Sequence, residues 1–181
     1  TRRSSDLGNT EITPAGITTI RGLDVDDSGN LFIAGYGSSE DVLFRYSTAT
    51  GLIDKSYGSG VGHIGYAWDV IVKDGYVYMT NYTTGTGGDG YQIMRFDKEL
   101  NFIDGFGDKS PTPTNPAEKD FLGPHRFVAI LNRKITVTDE NGSEDNDDER
   151  LVGIDDMDGN GWETFVPNGT TQSAFHFFET Y

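Results

Sequence analysis

Three stretches of the chain carry the same alternation of apolar and polar positions. Aligned on their second apolar run, they read GLDVDDSGNLFIAGY (residues 22–36), AWDVIVKDGYVYMTNY (67–82) and HRFVAILNRKITVTDE (125–140). Each has an apolar run, a tight polar turn and an alternating run, the period-two mark of strands with a buried face. A second pair of short strands follows each time, in residues 42–58, 91–107 and 150–167. The pattern predicts an all-β chain of β-propeller blades, four antiparallel strands to a blade and three blades in all.

The turns support this register. Asp26-Asp27-Ser28-Gly29-Asn30 joins the first two strands of blade one. Asp and Asn hydrogen-bond their own backbone, and Gly reaches positive φ without strain. Blade two uses Asp74-Gly75, a strong two-residue hairpin signal, and blade three uses Asn132-Arg133, a weaker one. Tight turns between third and fourth strands fall at residues 48–51, 98–101 and 158–161. The remaining connections are mostly longer, at 37–41, 83–90 and 141–149 within blades and at 59–66 and 108–124 between them. Strands in a blade alternate direction, so these connections emerge on one face and the tight turns on the other. Long loops carried by a rigid scaffold are where binding residues concentrate, which places function on that face.

Residues 1–16 form a polar lead-in, the blades cover about 17–60, 66–107 and 122–167, and residues 168–181 form a closing strand or the start of a further blade. The only helical signal is one or two turns over residues 116–122. Propellers close with roughly four to eight blades, so three leave open blade edges. The expectation is self-association, for example two copies forming one ring by twofold symmetry, or completion by blades missing from this chain.

The pattern resembles the NHL-repeat family of β-propellers, which are usually six-bladed. The residues that carry it are Gly22-Leu23-Asp24-Val25, Gly29-Asn30-Leu31-Phe32-Ile33-Ala34, Phe44-Arg45-Tyr46 and Ser56-Tyr57-Gly58 in blade one. In blade two they are Trp68-Asp69-Val70, Asp74-Gly75-Tyr76-Val77-Tyr78, Ile93-Met94-Arg95-Phe96-Asp97 and Phe106-Gly107. Blade three departs, lacking glycine in its first turn. Its stretch from Asp155 to Trp162 is similar to repeats of bacterial surface or secreted propellers, which implies an extracellular or cell-surface setting. The resemblance covers about residues 17–167 and speaks for architecture, since such propellers host binders, enzymes and scaffolds alike. A WD40 reading fails, because Trp68-Asp69 opens a first strand and Gly62-His63 lies too close to it.

Charge narrows the partners. With 14 Lys plus Arg against 29 Asp plus Glu, the net charge is −15, which argues against nucleic acid and anionic membrane surfaces. No run of apolar residues is long enough for a membrane span, and the start of the chain has no signal-peptide pattern. The absence of cysteine removes disulfides, thiol catalysis and thiolate metal sites.

Calcium is the cofactor with a candidate motif. Asp156-Met157-Asp158-Gly159-Asn160-Gly161 fits the first six positions of an EF-hand loop. The twelfth position, however, is Pro167 rather than Glu, and Glu163 is a substitute ligand. The competing reading is a polar hairpin turn, which the repeat places at this spot. A second oxygen-rich set lies in residues 144–149, with Asp145, Asp147 and Glu149 as ligands; its competing reading is a solvated loop. The histidines are His63, His125 and His176. Peptidylglycine lyase domains share this propeller class and hold a catalytic metal with histidines near the axis, where His125 would stand, but Gly22 and Ala67 occupy its position in the other blades. No nucleophile elbow and no phosphate-binding loop is present.

Tyr36, Tyr66, Tyr82 and Tyr91 stand at loop ends, and with His125 they form the candidate binding face for a carbohydrate or protein ligand. Packing between blades is the competing reading for these tyrosines, as it is for Trp68 and Tyr78. Three sequons occur, at Asn81, Asn141 and Asn168. The leading expectation is a non-enzymatic binding or assembly module. The other is a metal-dependent propeller enzyme, a lyase or hydrolase, with its site near the axis.

Overall fold

The computed structural model describes residues 16–58, 64–83, 90–107, 121–128, 135–139 and 150–164. These residues form twelve strands and no helix. Blade one is β1 (Ile17–Val25), β2 (Asn30–Gly37), β3 (Asp41–Ser47) and β4 (Leu52–Gly58). Blade two is β5 (Tyr66–Lys73), β6 (Tyr76–Tyr82), β7 (Ile93–Phe96) and β8 (Phe102–Phe106). Blade three is β9 (Pro124–Phe127), β10 (Ile135–Asp139), β11 (Arg150–Ile154) and β12 (Glu163–Thr164). Each is a four-stranded sheet with neighbours in chain order, and every pairing is antiparallel. The chain is therefore all-β, three propeller-type blades in an array that does not close on itself. Of the helix expected over residues 116–122, Phe121 and Leu122 alone are described, and both are buried without helical structure.

Alternation puts apolar side chains on the faces that meet between successive blades, and stacking buries them. The front face of blade one (Phe32, Ala34, Leu43 and Tyr57) packs on the back face of blade two (Val70, Val77, Met79, Met94 and Phe96). The front face of blade two (Tyr78 and Ile93, with Ile71) packs on the back face of blade three (Ile135, Val137, Val152 and Ile154). Each fully buried side chain of this size contributes roughly 1.5–3 kcal/mol, so these two interfaces hold the array together. Gly22 makes the first one possible at the axis, because a Cβ there would lie 2.6 Å from the Asp69 Cα.

Polar staples fix the stacking. The Asp24 carboxylate accepts the Val72 N–H at 2.7 Å, and Asp69 accepts the Phe127 N–H at 2.9 Å. Both therefore run from the innermost strand of one blade to that of the next. Arg45 forms a bidentate pair with Asp54 at 2.9 Å within blade one and donates to the Lys98 carbonyl of blade two at 2.6 Å. Arg95 repeats the in-blade pair with Asp104.

The sequence alignment of Leu23-Asp24-Val25 with Trp68-Asp69-Val70 slips by two residues in space. Leu23 pairs with Ile33 and Val70 with Met79, the matching position of the second strand. The cause is the turn: β1 ends at a four-residue loop, whereas β5 continues through Ile71-Val72-Lys73 to the two-residue Asp74-Gly75 turn.

One turn recurs in all three blades. Asp26 accepts the N–H groups of Ser28 and Asn30, and the Asn30 amide donates back to it. Asp97 does the same with Glu99 and Asn101, and Asp156 with Asp158 and Asn160. The residue before the Asn has positive φ each time: Gly29 at 80°, Leu100 at 60° and Gly159 at 72°. All three turns lie at the tight-turn end of the blades.

Candidate functional site

At the opposite end, the innermost strands bring side chains of three blades together. Tyr66 opens β5 and Tyr82 closes β6; the two are paired in register, with ring centroids 5.9 Å apart. Trp68, two residues along β5, has its ring 4.6 Å from that of His125 on β9. His125 is also 6.0 Å from Tyr82. From β1, the Arg21 guanidinium lies 5.2 Å from the Trp68 ring and 5.9 Å from the Tyr66 ring, within cation–π range.

Hydrogen bonds hold this group in place. Arg21 is ion-paired with the buried Asp41 and donates to the Ala67 carbonyl at 3.0 Å. Asp41 in turn accepts the Ala67 N–H at 3.1 Å. The Thr80 hydroxyl accepts the Asp69 N–H at 3.0 Å and donates to the His125 carbonyl at 2.7 Å, which sets β9 against β5. Arg126 donates to the Arg21 carbonyl and stands 3.9 Å from Asp69. Among the described residues of the site, the two cations are thus matched by two carboxylates. The Trp68 indole N–H is shielded from solvent and, among the described residues, has no hydrogen-bond partner.

Of the candidate binding residues, the structure brings together Tyr66, Tyr82 and His125. Tyr66 is 45% exposed and available to a ligand. Tyr36 sits at the same end of blade one, opposite Asp41 in the β2–β3 register, but among the described residues it makes no ring contact with the group. Tyr91 lies apart: its ring stacks on Phe102 at 5.9 Å and fills the space over Gly105, so it is a packing residue. Arg21, Trp68 and Arg126 were not singled out for the site from sequence. Arg21 precedes the repeated segment, and Trp68 has the alternation of a core residue.

The Asp156 turn is at the other end of the blade, away from this group. Its carboxylate oxygens accept two backbone N–H groups and the Asn160 amide, as in the Asp26 and Asp97 turns, which lack the EF-hand spacing. The Asp-x-Asp-Gly-Asn spacing is thereby explained by turn geometry. Among the described residues, no group of three or more His, Asp or Glu is placed to share a metal ion. Asp145, Asp147, Glu149, His63 and His176 lie outside the described residues, as do the sequons at Asn141 and Asn168. The third sequon residue, Asn81, is fully buried, accepts the Gly65 N–H at 2.9 Å and donates to the Tyr91 carbonyl at 2.8 Å. In the folded chain that amide is closed to a glycosylating enzyme.

Several carboxyls at the tight-turn end are held below the ordinary value of 3.8. For Asp26, burial pushes upward but is outweighed by the Asn30 and Ser28 donors and by Lys98. For Asp54 the Arg45 guanidinium is the main cause, and for Asp97 the Asn101 amide. These are structural groups, far from the aromatic cluster.

No protein-family model matches the chain, and no curated protein matches it. Among the described residues, no helix is long and apolar enough to cross a membrane. The fold and site together define a class: propeller-type blades that present an aromatic, charge-balanced cluster at the axial end of the long-loop face.

Proposed function

We propose that this chain is a non-enzymatic binding module of the NHL-like propeller type, working at the cell surface or outside the cell, and that its axial aromatic cluster takes a neutral carbohydrate. The observation that carries this reading is the convergence of Tyr66, Trp68, Tyr82 and His125 with Arg21 from three different blades. Flat rings suit the apolar C–H faces of a sugar ring, and a few fixed polar groups beside them suit its hydroxyls. Paired charges at the rim favour an uncharged ligand over an ionic one. Catalysis finds less support, because the His125 ring is packed against those of Trp68 and Tyr82.

The chain has two tryptophans, Trp68 and Trp162. A Trp162→Phe variant therefore makes Trp68 the sole indole reporter. Titration with soluble cello-, xylo-, malto- and chito-oligosaccharides is expected to give a saturable shift in Trp68 emission with at least one of them. Unchanged emission across the panel, with the variant folded by circular dichroism, overturns the reading.

A further inference from the structure

Blade one departs from the repeat at the long-loop end. In blade two Asn81 accepts the Gly65 N–H at 2.9 Å, and in blade three Asp139 accepts the Gly123 N–H at 2.8 Å. Each ties the entry of an innermost strand to the strand beside it. The matching residue of blade one is Gly35, two beyond Ile33 as Asn81 is two beyond Met79. It has no side chain to offer, and a Cβ there would run into the Thr19 carbonyl. Blade one carries instead the ion pair of Arg21 with Asp41, which grips β5 from both sides of one residue. Asp41 accepts the Ala67 N–H at 3.1 Å, and Arg21 donates to the Ala67 carbonyl at 3.0 Å.

The same pair governs the charge beside the rings. Asp41 is only 5% exposed, so it acts on a ligand through its charge and through Arg21 rather than by contact. Both hydrogen bonds of the guanidinium leave from Nη1, so neither engages its Nε–Nη2 edge. That edge is a fork suited to a carboxylate. The guanidinium lies 5.2 Å from the Trp68 ring and 5.9 Å from the Tyr66 ring, within reach of whatever stacks there. With no counter-charge it would draw an acidic ligand onto the rings; with Asp41 in place that attraction is offset. Joining blade one to blade two does not depend on this pair alone, since Asp24 and Arg45 already bridge them.

We propose that Asp41 sets the charge specificity of the cluster. By neutralising and holding Arg21 it reserves the site for uncharged sugars, and the same site without that carboxylate takes acidic ones, chains of uronic acids. This rests on the carbohydrate reading and names the residue that excludes the charged members of the class.

The test follows Trp68 emission in the Trp162→Phe background, with neutral oligosaccharides, oligogalacturonate and glucosamine oligomers as probes. Asp41→Asn keeps the shape of the side chain and removes its charge. It is expected to gain at least about tenfold in affinity for oligogalacturonate, the size of one hydrogen bond to a charged group, and to lose that gain in high salt. The double variant Asp41→Asn/Arg21→Gln is expected to lose the gain. Arg21→Gln alone leaves the carboxylate uncompensated and is expected to favour the cationic glucosamine oligomers instead. It carries the test if Asp41→Asn does not fold. The Arg126–Asp69 pair is the same in every variant, so a change of preference reports on Arg21 and Asp41. A purely structural role for Asp41 would weaken all sugars alike. If wild type binds a neutral sugar and neither folded single variant gains the oppositely charged one, or if the gain for oligogalacturonate survives Arg21→Gln, the inference is overturned and the carbohydrate reading stands. If no sugar of any charge shifts Trp68 in wild type or variants, the carbohydrate reading fails and the inference with it.

Discussion

Arg45 and Arg95 occupy the same place in successive blades, and the structure sets different costs for losing them. Both form a pair with an aspartate on the fourth strand of their own blade, Asp54 or Asp104. Each aspartate is more than a third exposed, so each pair is worth only about 0.5 kcal/mol. Arg45 also reaches across the blade interface to the Lys98 carbonyl at 2.6 Å. A hydrogen bond to a charged donor is worth about 1.5–3 kcal/mol, and its loss leaves that carbonyl without the donor. Arg95 instead lies 5.1 Å from the Tyr76 ring, a contact worth about 0.5–1 kcal/mol near the surface. Replacing each arginine by methionine keeps the apolar stem and removes the charge. The expected losses are about 3 kcal/mol for Arg45→Met and about 1.5 kcal/mol for Arg95→Met, summed from the same contributions. With a urea slope of about 2 kcal/mol/M, the two midpoints separate by about 0.7 M. Equal midpoints, or a lower midpoint for Arg95→Met, would refute the idea that polar staples between blades carry a measurable share of stability.

Three further outcomes follow from the same geometry. Gly22→Ala forces a Cβ to within 2.6 Å of the Asp69 Cα and is expected to lower stability by about 3 kcal/mol, the upper end of overpacking costs, measured by urea unfolding. Asp26, Asp54 and Asp97 have carboxyls held below 3.8 in the folded state, so their contribution is complete above that value and is lost as pH falls through the lower folded values. Thermal midpoints are therefore expected to drop between about pH 4 and pH 2, and less steeply in Asp26→Asn, which has one such group fewer. Asp156→Ala and Asp26→Ala are each expected to cost about 1–2 kcal/mol, as for loss of a capping side chain, with chelator or with millimolar calcium alike. A calcium-dependent gap between the two would show that the Asp156 turn holds an ion.

Much of the fold was legible because period-two alternation and turn chemistry are local. The strands around residues 26–30 and 74–75 follow from sequence, and so does the segregation of tight turns to one end. The register between blades was not legible. The Asp24 and Asp69 motifs look equivalent, yet the extra residues of β5 displace them, and only the loop lengths on both sides reveal it. The site was partly legible for a similar reason. Tyr66, Tyr82 and His125 stand at strand ends, where the topology assigns them to one face. Arg21 joins them through an ion pair with Asp41, twenty residues away, a contact that no local pattern announces. Tyr91 had the same loop-end signal but is drawn into packing by the missing side chain at Gly105. The acidic turn at Asp156 resembled an ion site because backbone capping and calcium coordination recruit the same residue types.

The most direct test of the central claim is the affinity of the chain for its best oligosaccharide, measured by calorimetry in wild type, Tyr66→Ala and Tyr36→Ala. Both tyrosines are exposed at the same end of the blades, and only Tyr66 belongs to the cluster. The account expects Tyr66→Ala to weaken binding at least tenfold and Tyr36→Ala to leave it within twofold. Equal effects of the two substitutions, or binding that survives Tyr66→Ala intact, would contradict it.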